Sequence, residues 1–116
     1  MEISTTPIDN VTAVAVKGRV DSTTADSLTT RLTELVRAGS ARLVIDLKEV
    51  SYISSAGFRT LLITARAVGQ ASGKMVLCGI TGEMQRLFDL SGFSDLFTIL
   101  PNQDDALAKL RTVDGV

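Results

Sequence analysis

The segment RLVIDLKEVSYISSAGFRTLLITARAV changes its hydrophobic period part-way along, and that change constrains the fold more than any other feature of the chain. It opens with RLVIDL, a short and nearly all-apolar run of the kind that forms a strand buried on both faces in the middle of a sheet. From Ser55 onward Phe58, Leu61, Leu62, Ala65 and Val68 return at helical spacing, which predicts a helix to about Ala71 with SGK as the turn after it. A buried strand leading into an amphipathic helix is one step of an alternating α/β architecture.

The same alternation extends in both directions. MEISTTPIDNVTAVAVKGRV reads as a hairpin, with one strand from Glu2 to Pro7, a turn at IDN, and Val11, Ala13 and Ala15 alternating with Thr12, Val14 and Val16. Ala25, Leu28, Leu32, Leu35 and Val36 then fall on one helical face, closed by Gly39. After the central helix, MVLCGI predicts a strand, and Met84, Leu87 and Phe88 mark a short helix. DLFTIL is a last short strand, and NQDDALAKLRTV a closing helix capped by Asn102 or Asp104. The order β-β-α-β-α-β-α-β-α implies parallel pairing through helical crossovers, with the hairpin making the sheet mixed. We expect an α/β fold with a central mixed sheet of four to five strands and packed helices, as a single domain over residues 1–116.

Composition restricts function. Twelve basic against thirteen acidic residues leave a net charge of -1, so no overall field attracts nucleic acid or an anionic membrane. The apolar runs fall far short of the roughly 20 residues that span a bilayer, and MEISTTP lacks the regions of a signal peptide, so a cytoplasmic protein without membrane insertion is expected. Histidine is absent, which removes the commonest general base and metal ligand, and a single cysteine excludes a multi-thiolate zinc site. No phosphate-binding glycine loop is present either. Neither an enzyme, nor a metal site, nor a cofactor is expected. Cys78, in KMVLCGI, suits a buried strand position better than redox work.

The adjacent serines at the strand-to-helix junction pose the functional question. Ser55 stands where the helix begins and could serve as its N-cap, worth about 1 kcal/mol, and Ser54 could cap equally well. A helix N-terminus also tolerates an anion, so a phosphate on a serine there is compatible with the fold.

These residues resemble a known family. VIDLKEVSYISSAGFRTLL is similar to the signature of STAS domains, and of anti-sigma factor antagonists in particular: an apolar strand, Asp-Leu, a short loop ending in an Asp/Ser-Ser-Ser/Thr/Ala-Gly step, and a helix. GRVDSTTADSL resembles the family's Gly-x-Leu/Val-Asp-x-x-Thr-Ala segment, and RLFDLSGFSDLFTIL its C-terminal stretch. The resemblance covers nearly the whole chain. It implies that the unphosphorylated protein binds an anti-sigma factor that is also a serine kinase, releasing a sigma factor, and that phosphorylation at Ser55, or less favourably Ser54, ends binding until a phosphatase acts. Many members carry Asp where this chain has Ser54. The rival within the fold is a docking subunit of a transporter or signalling complex. The oligomeric state expected is a monomer or weak dimer.

Around the serine pair the candidate partner-binding residues are Asp21, Ser54, Ser55, Ala56, Gly57, Arg59 and Ile63. Asp21 reads as a helix cap from sequence, while the resemblance implies an acidic position beside the phosphorylated serine that helps contact the kinase. Gly57, in the first helical turn, costs roughly 1 kcal/mol relative to alanine and implies either close approach of another backbone or tight packing of helix on sheet. Arg59, Ile63, Arg66 and Gln70 line the face of the helix away from its core stripe, as a solvated face or a partner-docking patch. Asp46 is expected near a strand end, hydrogen-bonded to the following loop. Gly18 and Gly39 are expected in turns.

Overall fold

Five strands and four α-helices alternate along the chain in the computed structural model, which describes the backbone of residues 1–114 and side chains through Arg111. β1 (Glu2–Ile8) and β2 (Val11–Val20) form the antiparallel hairpin. Ile8 pairs with Val11, so the loop is Asp9-Asn10, one residue shorter than expected, with Asp9 at φ 56. Then follow α1 (Ala25–Arg37), β3 (Arg42–Ile53), α2 (Ser55–Gln70), β4 (Lys74–Cys78), α3 (Gly82–Ser91), a 3-10 turn (Phe93–Leu96), β5 (Thr98–Leu100) and α4 (Gln103–Asp114).

The strands lie in the order β1-β2-β3-β4-β5, parallel from β2 onward. Each crossover therefore steps one place in the same direction, and connections of one hand put α1, α2 and α3 on one face. There they bury Leu28, Leu32, Phe58, Leu61, Val68, Met84 and Phe88 against Val14, Val16, Leu43, Ile45 and Leu77. α4 follows the last strand and covers part of the opposite face, where Ala106, Leu107 and Leu110 meet Val11, Val44, Val76 and Cys78. Asn102 starts this helix, its side-chain oxygen accepting from the Asp105 N–H at 2.8 Å. On the face that α4 partly covers, Ser4 and Ala15 remain exposed.

Several local expectations are corrected. β3 does not end after Leu47 but continues to Ile53, because Lys17, Gly18, Arg19 and Val20 of β2 go on pairing with it past a bulge. Asp46 consequently lies within the strand, buried at 3% exposure, with the Lys48 N–H donating to its Oδ1 at 3.0 Å. Gly18 sits not in a turn but in β2, beside a register shift and at φ 100, a conformation suited to glycine. Gly39 does follow a helix end, at φ 106. Asp95 and Leu96 belong to the 3-10 turn rather than to the last strand. Leu87 is exposed, and only Met84 and Phe88 of its helix are buried.

The core stripe of α2 is also rotated from the expectation. Leu62 and Ala65 are half-buried, while Thr60 and Thr64 are buried, because this helix packs on α1 as well as on the sheet. The threonines are satisfied internally. Thr60 Oγ1 lies 3.2 Å from the Ala25 carbonyl oxygen and 2.7 Å from Thr29 Oγ1, and Thr64 Oγ1 donates to the Thr60 carbonyl at 2.8 Å. Helical threonines can bond the carbonyl one turn back, and a partner hydroxyl on the facing helix makes their burial cheap.

Candidate functional site

The two serines have separate roles. Ser54 is the N-cap of α2: its backbone is extended, at φ -93 and ψ 176, and its Oγ accepts from the Gly57 N–H at 3.4 Å. Ser55 is the first helical residue and is exposed, so of the two capping candidates the sequence offers, Ser54 is the one found. Capping demands the extended backbone of the residue before the first turn, and only Ser54 has it. The Ser55 hydroxyl is left over at a helix start, beside amide groups that carry a partial positive charge.

The junction is tied to the end of the neighbouring strand. The Ser54 N–H donates to the Val20 carbonyl at 2.9 Å, so Asp21, next in the chain, emerges at the same edge of the sheet as the serine pair. Asp21 does not cap α1 with its side chain; Thr24 occupies the N-cap, and the Asp21 main-chain carbonyl accepts from Thr24 N and Ala25 N at 3.1 and 2.8 Å. Its carboxylate is held instead by Thr23. Oδ1 accepts from the Thr23 hydroxyl at 2.6 Å and the Thr23 N–H at 2.9 Å, while Oδ2 lies 3.5 Å from Arg19 Nε. The Thr23 hydroxyl, then its amide, then Arg19 hold the carboxyl below its ordinary value, although residual desolvation opposes them.

Gly57 is buried and packs tightly. A Cβ there would stand 2.6 Å from Ile53 Cγ1 and 2.9 Å from Val20 Cγ1. Of the two readings of this glycine, tight seating of α2 on the sheet is the one found, with side chains rather than another backbone as the neighbours. Phe58 follows, stacking on Phe93 with ring centroids 4.8 Å apart and meeting Phe88 edge-on at the same distance. These contacts fix the first turn from below and leave its outer side to solvent.

Arg59, Ile63, Arg66 and Gln70 are exposed as expected, Ile63 at 38%. Ala56, Arg59 and Ile63 border a shallow groove of about 240 Å³ between α1 and α2, whose other walls include Asp26, Thr29 and Thr60. The sequence reading missed Thr29 and Thr60 here, and also Arg19 and Tyr52. Arg19 Cζ stands 4.4 Å from the Tyr52 ring centroid, and Tyr52 is exposed two residues before the serine pair. An exposed tyrosine in a chain with no other was the available signal.

Cys78 is buried, as expected, and its thiol is pushed up to about 12 by burial, with Asp46 adding to the effect. A thiol so disposed carries almost no thiolate at neutral pH and is chemically inert there. Among the described residues no cluster of three or more His, Cys, Asp or Glu is arranged to hold a metal, and no helix is long and apolar enough to cross a membrane.

The STAS domain profile matches residues 2–106. The chain belongs to the STAS domain family. Within it, the chain is 33% identical over 112 residues to BtrV of Bordetella bronchiseptica, a candidate anti-sigma factor antagonist, with 97% of each protein covered. It is 28% identical to the anti-sigma F factor antagonist of Paenibacillus polymyxa, with 89% of each covered. The crystal structure of an anti-sigma factor antagonist from Mycobacterium paratuberculosis superposes with a TM-score of 0.86 at 29% identity, over 95% of this chain and 93% of that one. This STAS domain is therefore of the anti-sigma factor antagonist type, a regulatory protein and not an enzyme.

Proposed function

We propose that this STAS domain is a phosphorylation-controlled antagonist: its unphosphorylated form binds an anti-sigma factor with serine kinase activity and so frees a sigma factor, and phosphate on Ser55 turns binding off. One observation carries the reading. Ser54 does the capping, so the exposed Ser55 hydroxyl, without a hydrogen-bond partner among the described residues, is available to a kinase. The names of relatives along the whole chain support a partner of the anti-sigma class.

A phosphoserine adds about -1.5 to -2 charges. At the first position of a helix these meet free amide groups, so the modification is compatible with the fold while it transforms the surface. Asp21, Ser54, Ala56, Arg59 and Ile63 form the surrounding contact surface in this proposal, with Asp21 adding negative charge at the same edge; Gly57, also a candidate from the sequence, is buried and acts by seating the helix under that surface. A phosphatase specific for the phosphoserine returns the protein to its binding state.

The assignment is tested by incubating the protein with its cognate anti-sigma factor and ATP, then locating phosphate by mass spectrometry. Single phosphorylation at Ser55 is expected, lost in Ser55→Ala and kept in Ser54→Ala. Phosphate on Ser54, or none from a partner verified to bind, contradicts it.

A further inference from the structure

On the face of the sheet opposite α1, α2 and α3, the row Ser4, Ala15, Asp46 and Cys78 runs across four paired strands. Ser4 and Ala15 are small and exposed, and they floor a cavity of about 500 Å³ on the part of the sheet carried by β1, β2 and β3. Ile3 contributes to its wall. Asp46 also lines it, although the residue is only 3% exposed. Its carboxylate's only hydrogen bond among the described residues is the one from the Lys48 N–H to Oδ1. On the β4 side the carboxylate abuts Gly79, where a Cβ would fall 2.6 Å from Oδ1. That glycine, at φ 74, leaves the carboxylate the room it occupies.

A buried carboxylate ordinarily takes several donors, because withdrawal from water without them is costly. Here one oxygen has a single amide, and the other, with no bonded partner among the described residues, is not sealed from solvent and stands at the wall of a cavity large enough for a small organic molecule. The remaining charges around the cavity are Glu2, Glu49, Lys17 and Lys48, and Lys17 Nζ lies 3.9 Å from a Glu49 carboxylate oxygen. With Asp46 included, acid groups are in excess. We propose that this cavity is a binding site for a small organic cation, an alkylammonium or alkylguanidinium, whose charged head donates to Asp46 and whose alkyl part lies over Ala15. The site lies on the opposite face of the sheet from the Ser55 surface and does not depend on the reading of that surface.

The test is a titration of the isotope-labelled protein with butylammonium and butylguanidinium, followed by amide chemical shifts, with butyrate at matched ionic strength as the control. Saturable shifts at Ala15, Lys48 and Gly79 with at least one cation, absent with butyrate and weakened at least tenfold by Ala15→Leu, are expected. Ala15→Leu fills the cavity from an exposed strand position and leaves Asp46 intact. Asp46→Asn should weaken the same shifts if it folds. Linear, non-saturating shifts with both cations, equal shifts with butyrate, or saturable shifts indifferent to Ala15→Leu would overturn the proposal.

Discussion

Ser54 and Ser55 are adjacent in sequence but divided in labour: Ser54 Oγ accepts from the Gly57 N–H at 3.4 Å and closes the start of α2, while Ser55, one residue later, is exposed on the first turn. Loss of the cap by Ser54→Ala should destabilise the protein by about 1 kcal/mol, whereas Ser55→Ala should change stability by less than about 0.5 kcal/mol. Urea denaturation of the two variants measures the difference directly. Equal losses for both would mean that the hydroxyls share the cap.

The glycines of α2 should respond in opposite directions to the same change. At Gly57 a methyl group would press on Ile53 and Val20 at 2.6 and 2.9 Å, whereas at the exposed Gly69 it would meet nothing within 4 Å. Overpacking at Gly57 outweighs the gain in helix propensity, so Gly57→Ala should cost on the order of 1–2 kcal/mol. Gly69→Ala should gain up to about 1 kcal/mol. Shifts of the denaturation midpoint, one down and one up, are the expected result.

Asp21 supplies a pH dependence. Its carboxyl is lowered below the ordinary value of 3.8, chiefly by the Thr23 hydroxyl, then the Thr23 amide, with Arg19 contributing less. A group depressed in the folded state adds stability that is present above its unfolded value and lost as pH falls through the folded one. The contribution should therefore be intact at pH 5 and above, begin to fall only near the unfolded value of about 4, and be gone once pH is below the depressed folded value. Carbon-detected NMR titration should place the Asp21 midpoint below 3.8, and Thr23→Ala should raise it toward the ordinary value.

How much of this was legible in the sequence varied with the physics at each place. Element order followed from the switch between near-continuous apolar runs and helical spacing, which backbone geometry dictates. The extension of β3 through KEVSYI escaped notice because a bulge interrupts its pairing, leaving Val50 and Ile53 buried three residues apart instead of in alternation. Thr60 and Thr64 were missed because polar residues register as exposed in any hydrophobic pattern, and only the facing Thr29 on α1 explains their burial. The strand-to-helix junction at the serine pair was legible from the change of period. Which serine caps depends on a single backbone angle, and composition does not reveal it.

The outer face of α2 offers a fourth prediction. Ile63 is exposed and borders the groove between α1 and α2 that also reaches Ala56 and Arg59. Ile63→Glu should leave circular dichroism and the unfolding midpoint nearly unchanged, since an exposed position tolerates substitution within about 0.5 kcal/mol. Affinity for the anti-sigma factor should drop at least tenfold, as measured by surface plasmon resonance. Unchanged affinity would restrict the contact surface to the serine junction and the Asp21 loop.

The central claim is that charge on Ser55 decides whether the partner is held. Two added negative charges near acidic groups of an interface are worth several kcal/mol even at an effective dielectric of about 20. Since about 1.4 kcal/mol is tenfold in affinity, a loss of roughly 2 to 4 kcal/mol releases the partner. Arg59, one turn along the same helix and exposed, is placed to pair with a phosphate on Ser55, which would offset part of this loss. The deciding measurement is isothermal titration calorimetry of the cognate anti-sigma factor against the wild type, Ser55→Ala, Ser55→Asp and Ser55-phosphorylated proteins. Wild type and Ser55→Ala should bind alike, and Ser55→Asp and the phosphoprotein at least tenfold more weakly. Equal affinity for all four would contradict the switch and leave a constitutive docking domain.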